Sequence, residues 1–175
     1  MIVILNRDKN RYFCKNSRMK ITLLVVGRTA EAWTQQGFAS YEKRLKHYIR
    51  FDYSEVVLPK NNRPTDAMQL REIEGKWLMK HIQPGDQLCL LDEKGSSFTS
   101  EQFADWLQRQ MNSGVKHLVF VVGGAYGFSN DMYQLAQHKI ALSPMTFSHQ
   151  LVRPVFAEQL YRAFTILRNE PYHNP

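Results

Sequence analysis

The chain has 175 residues, 43% of them hydrophobic and 22% charged, which suits one globular domain and excludes a disordered or low-complexity protein. No apolar run approaches the ~18 residues of a membrane span. The net charge is +7, but residues 1–18 hold +4 of it, so the body is only mildly basic and any nucleic-acid site must be a local patch.

Residues 1–18 do not read as a secretory signal: the apolar run Ile2–Leu5 is short, charges follow at once, and no small-residue cleavage site appears. The expected compartment is therefore the cytoplasm. Met19 stands directly before a strong strand signal. Residues 1–18 read as an extension outside the fold, with an edge strand at Ile2–Leu5 as the alternative.

Ile21–Val26 is a continuous apolar run ended by Gly27, the pattern of a strand buried on both faces. Glu31–Ile49 carries Trp33, Phe38, Tyr41, Leu45 and Tyr48 near helical spacing. Phe51–Leu58 reads as a second strand stopped by Pro59, and Lys60–Thr65 as a polar loop. Asp66 can cap a helix that runs to Ile82, and Pro84-Gly85-Asp86 is a turn signal. Gln87–Leu91 is a third strand, followed by the acidic pair Asp92 and Glu93 and a polar loop at 94–97.

Thr99 with Gln102 makes a capping-box signature for a helix through Met111. His117–Val122, the most apolar strand, runs into Gly123-Gly124-Ala125-Tyr126-Gly127. Ser129 caps a short helix reaching Gln137, and Lys139–Leu142 is a fifth strand. Ser143–Ser148 is irregular, and Gln150–Arg168 is a long last helix with Pro154 near its start, where proline is tolerated. Strict alternation of strand and helix predicts one α/β domain over 19–175 with a largely parallel sheet. Ligands of such sheets sit at the carboxyl ends of the strands, which points to the loops after Leu91, Val122 and Leu142.

Cys14 and Cys89 give neither a disulfide framework nor a metal spacing, and free thiols fit a reducing compartment. The chain contains no HExxH and no CxxC, and no Ser-His-Asp order can be assembled. The GGAYG loop suits close backbone approach to a ligand, or simply a tight strand–helix turn. It is neither GxGxxG nor a P-loop, and no ribose-binding acid follows it, which counts against a nucleotide-dependent oxidoreductase. The segment Leu142–Phe147 has backbone groups able to read an adenine edge, or it is a surface connector. His149 and Arg153, and Glu158 and Arg162, are spaced four apart and share helix faces; the bland reading of the second pair is a helical ion pair. The tail ends in Pro171-Tyr172-His173, and chain ends usually fray.

Several stretches carry a resemblance: Met19–Gly27 (MKITLLVVG), Val119–Gly127 (VFVVGGAYG), Leu142–Arg153 (LSPMTFSHQLVR), Glu158–Phe164 (EQLYRAF) and Asn169–His173 (NEPYH). In this order, from Met19 to His173, the chain resembles the RlmH family of bacterial ribosomal RNA methyltransferases, small members of the SPOUT class. The resemblance implies a SPOUT-type α/β knot, in which the C-terminal part threads a loop to form a deep trefoil knot, a rare exception to the rule against threading. It implies S-adenosyl-L-methionine as donor, held by Leu91, Gly123, Leu142, Ser143, Pro144, Met145, Thr146 and Phe147. It implies a homodimer whose acceptor site is shared across the interface, acting without a metal on assembled ribosomes. The implied product is N3-methylpseudouridine in a stem-loop of 23S large-subunit RNA.

The implied catalytic set is His173, Tyr172, Arg162 and Arg153, with His173 removing the proton of the base nitrogen or orienting the base. Arg153 and Arg162 would hold phosphate or the developing anion, and His149 and Arg153 would bind RNA. The chain departs from the family pattern at Asn174, where a basic residue commonly follows the tail histidine, and at Ser148, where a proline commonly precedes the loop histidine. A non-catalytic ribosome-associated RNA-binding protein that keeps the knotted fold is the alternative reading.

Overall fold

A computed structural model describes residues 19–59 and 66–174. The predicted extension 1–18, with Cys14 in it, the predicted loop Lys60–Thr65, and Pro175 lie outside the described residues. The elements alternate as predicted: β1 (Lys20–Val26), α1 (Ala32–Leu45), β2 (Arg50–Val56), α2 (Ala67–Met79), β3 (Gln87–Ser97), α3 (Ser100–Asn112), β4 (His117–Val122), α4 (Asn130–Leu135), β5 (His138–Ala141) and α5 (Val152–Leu167). The strands form one sheet in the order β2-β1-β4-β3-β5, every pair parallel.

The apolar runs at β1 and β4 are explained by their central place. Successive side chains point to opposite faces, and both faces are covered. Ile21, Leu23, Val25, Leu118, Phe120 and Val122 pack under α1, α3 and α5. Leu24, Val26, Val119 and Val121 pack under α2 and α4, against Leu78 and Met132. Three predicted caps form: Asp66 accepts from Gln69 N–H, Thr99 and Gln102 close a capping box, and Ser129 accepts from Met132 N–H. Among the described residues no helix is long and apolar enough to cross a membrane.

The structure departs from expectation most at β3. The polar segment read as a loop at 94–97 belongs to a strand that continues to Ser97. Ile140 of β5 pairs with Leu91 and again with Ser96, so residues 92–95 bulge out of the ladder and strand pairing resumes beyond them. Gly95 makes this possible. A Cβ there would lie 2.5 Å from Ile140 N and 2.6 Å from Lys139 C, both backbone atoms that no rotamer change can move. Gly95→Ala is expected to destabilise the fold by about 1–3 kcal/mol through overpacking. Urea unfolding measures it, and an unchanged midpoint would contradict the close approach of β5.

The last helix begins later than predicted. Ser148 Oγ accepts the Leu151 N–H at 3.1 Å, so residues 148–151 form a turn before α5 opens at Val152. Serine thus satisfies a backbone donor ahead of the helix. At the other end Asn169 takes φ 53°, its N–H bonds Ile166 O at 3.1 Å, and Glu170 N–H bonds Thr165 O at 2.9 Å. This Schellman arrangement, with asparagine in the left-handed position, folds the tail back along α5.

Candidate active site

The carboxyl ends of β3, β4 and β5 surround a cleft of about 760 Å³. That is within the range of about 300–1,000 Å³ common for small-molecule sites. Its floor is the Gly123–Phe128 turn, and one wall is the loop after β5. Leu91, Gly123, Leu142, Ser143, Met145, Thr146 and Phe147 all line it, as does His149. Pro144, predicted with them, is not part of the lining. The loop is tied to its surroundings: Thr146 Oγ1 donates to Glu93 Oε2 at 2.6 Å, and Met145 N–H donates to Ser143 Oγ at 2.9 Å.

The floor is tight. A Cβ on Gly123 would lie 3.1 Å from Gly127 O, and one on Gly124 would lie 2.3 Å from Glu74 Oε2, whose side chain is buried beneath the turn. Gly127 itself takes φ 77°, a conformation open to glycine at little cost. Met145 and Tyr126 stand exposed at the rim (77% and 54%), so the mouth offers apolar surface beside a lining of mixed polarity.

The other predicted residues gather elsewhere. Tyr172 and His173 lie against α5, α1 and the start of α3. His173 Nε2 donates to Glu101 Oε1 at 2.6 Å, and Arg162 Nη1 lies 3.4 Å from His173 Nδ1. Arg162 is bound twice by Glu158 Oε1, at 2.6 and 3.1 Å, and lies over the Tyr172 ring at 4.9 Å. Tyr172 OH donates to the same Glu158 oxygen at 3.1 Å, with Tyr41 OH 3.4 Å away. Burial, then the Tyr41 and Glu158 contacts, push the Tyr172 phenol up, so it stays a proton donor. The Glu101 carboxyl is held down at about 2 by its own N–H, the His173 ring and the Thr99 hydroxyl.

None of Arg162, Tyr172 and His173 lines the cleft. Val152, at the start of α5, does. Arg162 is ten residues further along the same helix, about 15 Å at 1.5 Å per residue.

The resemblance implied a phosphate or anion contact for Arg153; the structure places its side chain at 0% exposure. Nη2 donates to Val26 O at 2.8 Å, Nη1 to Thr29 Oγ1 at 2.7 Å and to Tyr53 OH at 3.2 Å, and Nε to His149 O at 2.9 Å. It ties the end of β1, Thr29 and Tyr53 of β2 to the end of the cleft-lining loop.

Residues 19–173 match the family described as "Predicted SPOUT methyltransferase". The chain belongs to that family. The Ribosomal RNA large subunit methyltransferase H of Parabacteroides distasonis is 50% identical over 156 residues, covering 89% of this chain and 99% of the relative. The protein of the same name from Flavobacterium psychrophilum is 51% identical with the same coverage, and that from Cytophaga hutchinsonii 48% over 89% of this chain and 100% of its own. A crystal structure of a probable methyltransferase from Bordetella pertussis Tohama I shares the fold, with a TM-score of 0.51 at 11% identity over 86% of this chain and 99% of that one.

This SPOUT methyltransferase therefore has two clusters, a cleft and a tail, joined by α5. Sequence reasoning missed Glu101, which meets His173 across 72 positions and carries no local signal beyond being the acid in a helix's first turn. Glu158 was read only as a helical ion pair with Arg162; it also holds Tyr172.

Arg153→Met should cost about 2–4 kcal/mol, because it strands two backbone carbonyls and a hydroxyl network in the interior. Urea unfolding tests this; full stability with weakened RNA affinity would restore the phosphate role. The neighbouring Glu55 reports on the same network. Burial pushes its carboxyl up, but Thr29, Tyr53 and Arg153 together outweigh that and hold it below its ordinary range. A depressed carboxyl stabilises the fold above its unfolded pKa, and that stability fades as pH falls through the folded value. Glu55→Gln should flatten that acid limb of the stability profile.

Proposed function

We propose that the chain is an S-adenosyl-L-methionine-dependent methyltransferase of ribosomal large-subunit RNA, working as a homodimer in the cytoplasm. The observation that carries this is the cleft. Segments at the ends of β3, β4 and β5 wall it, in a chain about half identical to large-subunit RNA methyltransferases along nearly their whole length. The residues present fit such a donor. Leu91, Leu142 and Phe147 give apolar walls for an adenosyl group, a Cβ on Gly123 would crowd the floor, and Asp92 and Glu93 supply negative charge where a sulfonium and an ammonium need it. Pro144 then acts by shaping the loop.

The trefoil crossing belongs to the same reading. It is supported by the course of the chain, which leaves β5 at the sheet edge, passes Glu93 at Thr146, and returns to pack α5 on α1 and α3.

When bound, the donor supplies a methyl group already activated on sulfur, so what remains for the protein is alignment and one proton. The cleft positions the donor. The tail cluster receives the base, here the N3 position of a pseudouridine. Glu101 fixes the His173 tautomer by accepting from Nε2, which leaves Nδ1 as the face able to take or steer the proton leaving the base nitrogen. Arg162, at 3.4 Å from Nδ1, is placed to stabilise the negative charge that develops on the base. His149, at the cleft, is placed to meet RNA. The separation of cleft and tail along α5 supports a second copy bringing its tail over the first copy's cleft.

Purified protein, ribosomes from a strain lacking it, and the donor should give a methylpseudouridine peak in nuclease digests of the large-subunit RNA by mass spectrometry. No new methylated nucleoside would remove the proposed substrate. Donor binding without any turnover would favour the non-catalytic RNA-binding reading.

A further inference from the structure

Arg71 of α2 lines the cleft, yet the reading above gives it no task. It is half-buried, and its Nε is shut off from solvent with no hydrogen-bond partner among the described residues. A guanidinium nitrogen in that state is costly unless a ligand supplies the acceptor. On the same lining stand Asp92, where β3 bulges, and Tyr133 of α4. Tyr133 OH donates to Asp92 Oδ2, and Asp92 Oδ1 accepts the Lys94 N–H at 2.7 Å, which fixes the carboxylate in place.

Three groups share one neighbourhood here. Burial and Asp92 push the Tyr133 phenol up to about 12, and the charge of Arg71 works against that rise. One wall of the cleft therefore presents a cation and an oriented anion together. The opposite wall, from Leu142 to Phe147, carries no ionised side chain at all.

We infer that Arg71, Asp92 and Tyr133 form the subsite for the zwitterionic α-amino-acid end of the donor, with Arg71 donating to its carboxylate and Asp92 facing its ammonium. The inference rests on the donor reading of the cleft. Its chemistry is specific: a planar guanidinium matches a carboxylate better than any other side chain, and the fixed Asp92 carboxylate keeps lone pairs free for an ammonium. The adenosyl end then falls to the apolar wall and to backbone groups, so the two halves of the donor are read by different elements. Arg71 becomes the residue that separates the full donor from truncated adenosyl sulfides.

Calorimetry with two probes tests this. S-adenosylhomocysteine carries the amino-acid end; 5′-methylthioadenosine lacks it. The unaltered protein should bind the first at least tenfold more tightly. Arg71→Met should weaken S-adenosylhomocysteine at least tenfold and leave methylthioadenosine within twofold, with Arg71→Lys in between. Equal loss for both probes would make Arg71 a structural residue and overturn the subsite. So would unchanged S-adenosylhomocysteine affinity, or a loss confined to ribosome binding, which would assign Arg71 to RNA phosphate. Should the variants not fold, the unaltered protein decides alone: equal affinity for the two probes overturns the subsite. Binding of neither probe overturns the donor reading itself, and the subsite with it.

Discussion

Gly123→Val is expected to leave a folded protein that no longer binds the methyl donor. The position directly follows β4, and its φ lies outside the left-handed region. Local conformation therefore tolerates the change. Space does not: the first added carbon already lies 3.1 Å from Gly127 O and 3.2 Å from the Phe128 ring. Two further methyl groups must either push the turn aside or enter the cleft. Overpacking of this kind costs about 1–3 kcal/mol, so the melting midpoint falls modestly. Donor affinity should drop by about 100-fold or more, since each 1.4 kcal/mol is tenfold and the ligand meets both the lost volume and a displaced wall. Calorimetry with S-adenosylhomocysteine reads the loss. Near-normal affinity in the variant would mean that the donor lies elsewhere.

That turn is legible in the sequence for a physical reason. Strands β1 and β4 are central and covered on both faces, so their sequences are continuous apolar runs, and the glycines that end them stand out. The caps at Asp66, Thr99 and Ser129 are equally local, each reaching a donor three residues on. Where the reading failed, the cause lies in partners distant along the chain. Residues 94–97 look like a loop because their composition is polar, but β5 pairs with Ser96 and Ser97 through backbone groups, and sequence patterns do not report backbone pairing. Arg153, four residues from His149, looks like one of a pair on a basic edge. Only the fold brings Val26, Thr29 and Tyr53 around it, and these turn an expected surface contact into a buried tie. Glu101 and Arg71 sit on helices whose patterns give no reason to single them out.

His173→Ala should lower turnover by about 10²- to 10⁴-fold, the usual worth of a positioned general base. Donor affinity should stay within about twofold, because His173 does not line the cleft. The same logic separates the tail from the fold. His173 is held by Glu101 and Arg162 at one edge of α5, and removing its ring leaves the Glu158–Arg162 and Glu158–Tyr172 contacts in place. The variant is therefore cleaner than deletion of Tyr172–Pro175, which also strips Tyr41 and Glu158 of a partner. Deletion should likewise abolish turnover while sparing donor binding and the dimer. The two variants together distinguish a chemical role from a packing one. If His173→Ala keeps full activity while the deletion loses it, the ring is passive and Tyr172 holds the base. If both keep full activity, proton handling belongs to another group and the tail cluster is structural. An inactive His173→Ala protein that still binds donor, and whose mixed dimers with a Gly123→Val partner regain roughly half the activity, would place one subunit's tail over the other's cleft. Only one of the two composite sites in such a dimer pairs an intact cleft with an intact histidine if each site draws on both subunits; if each chain works alone, neither does.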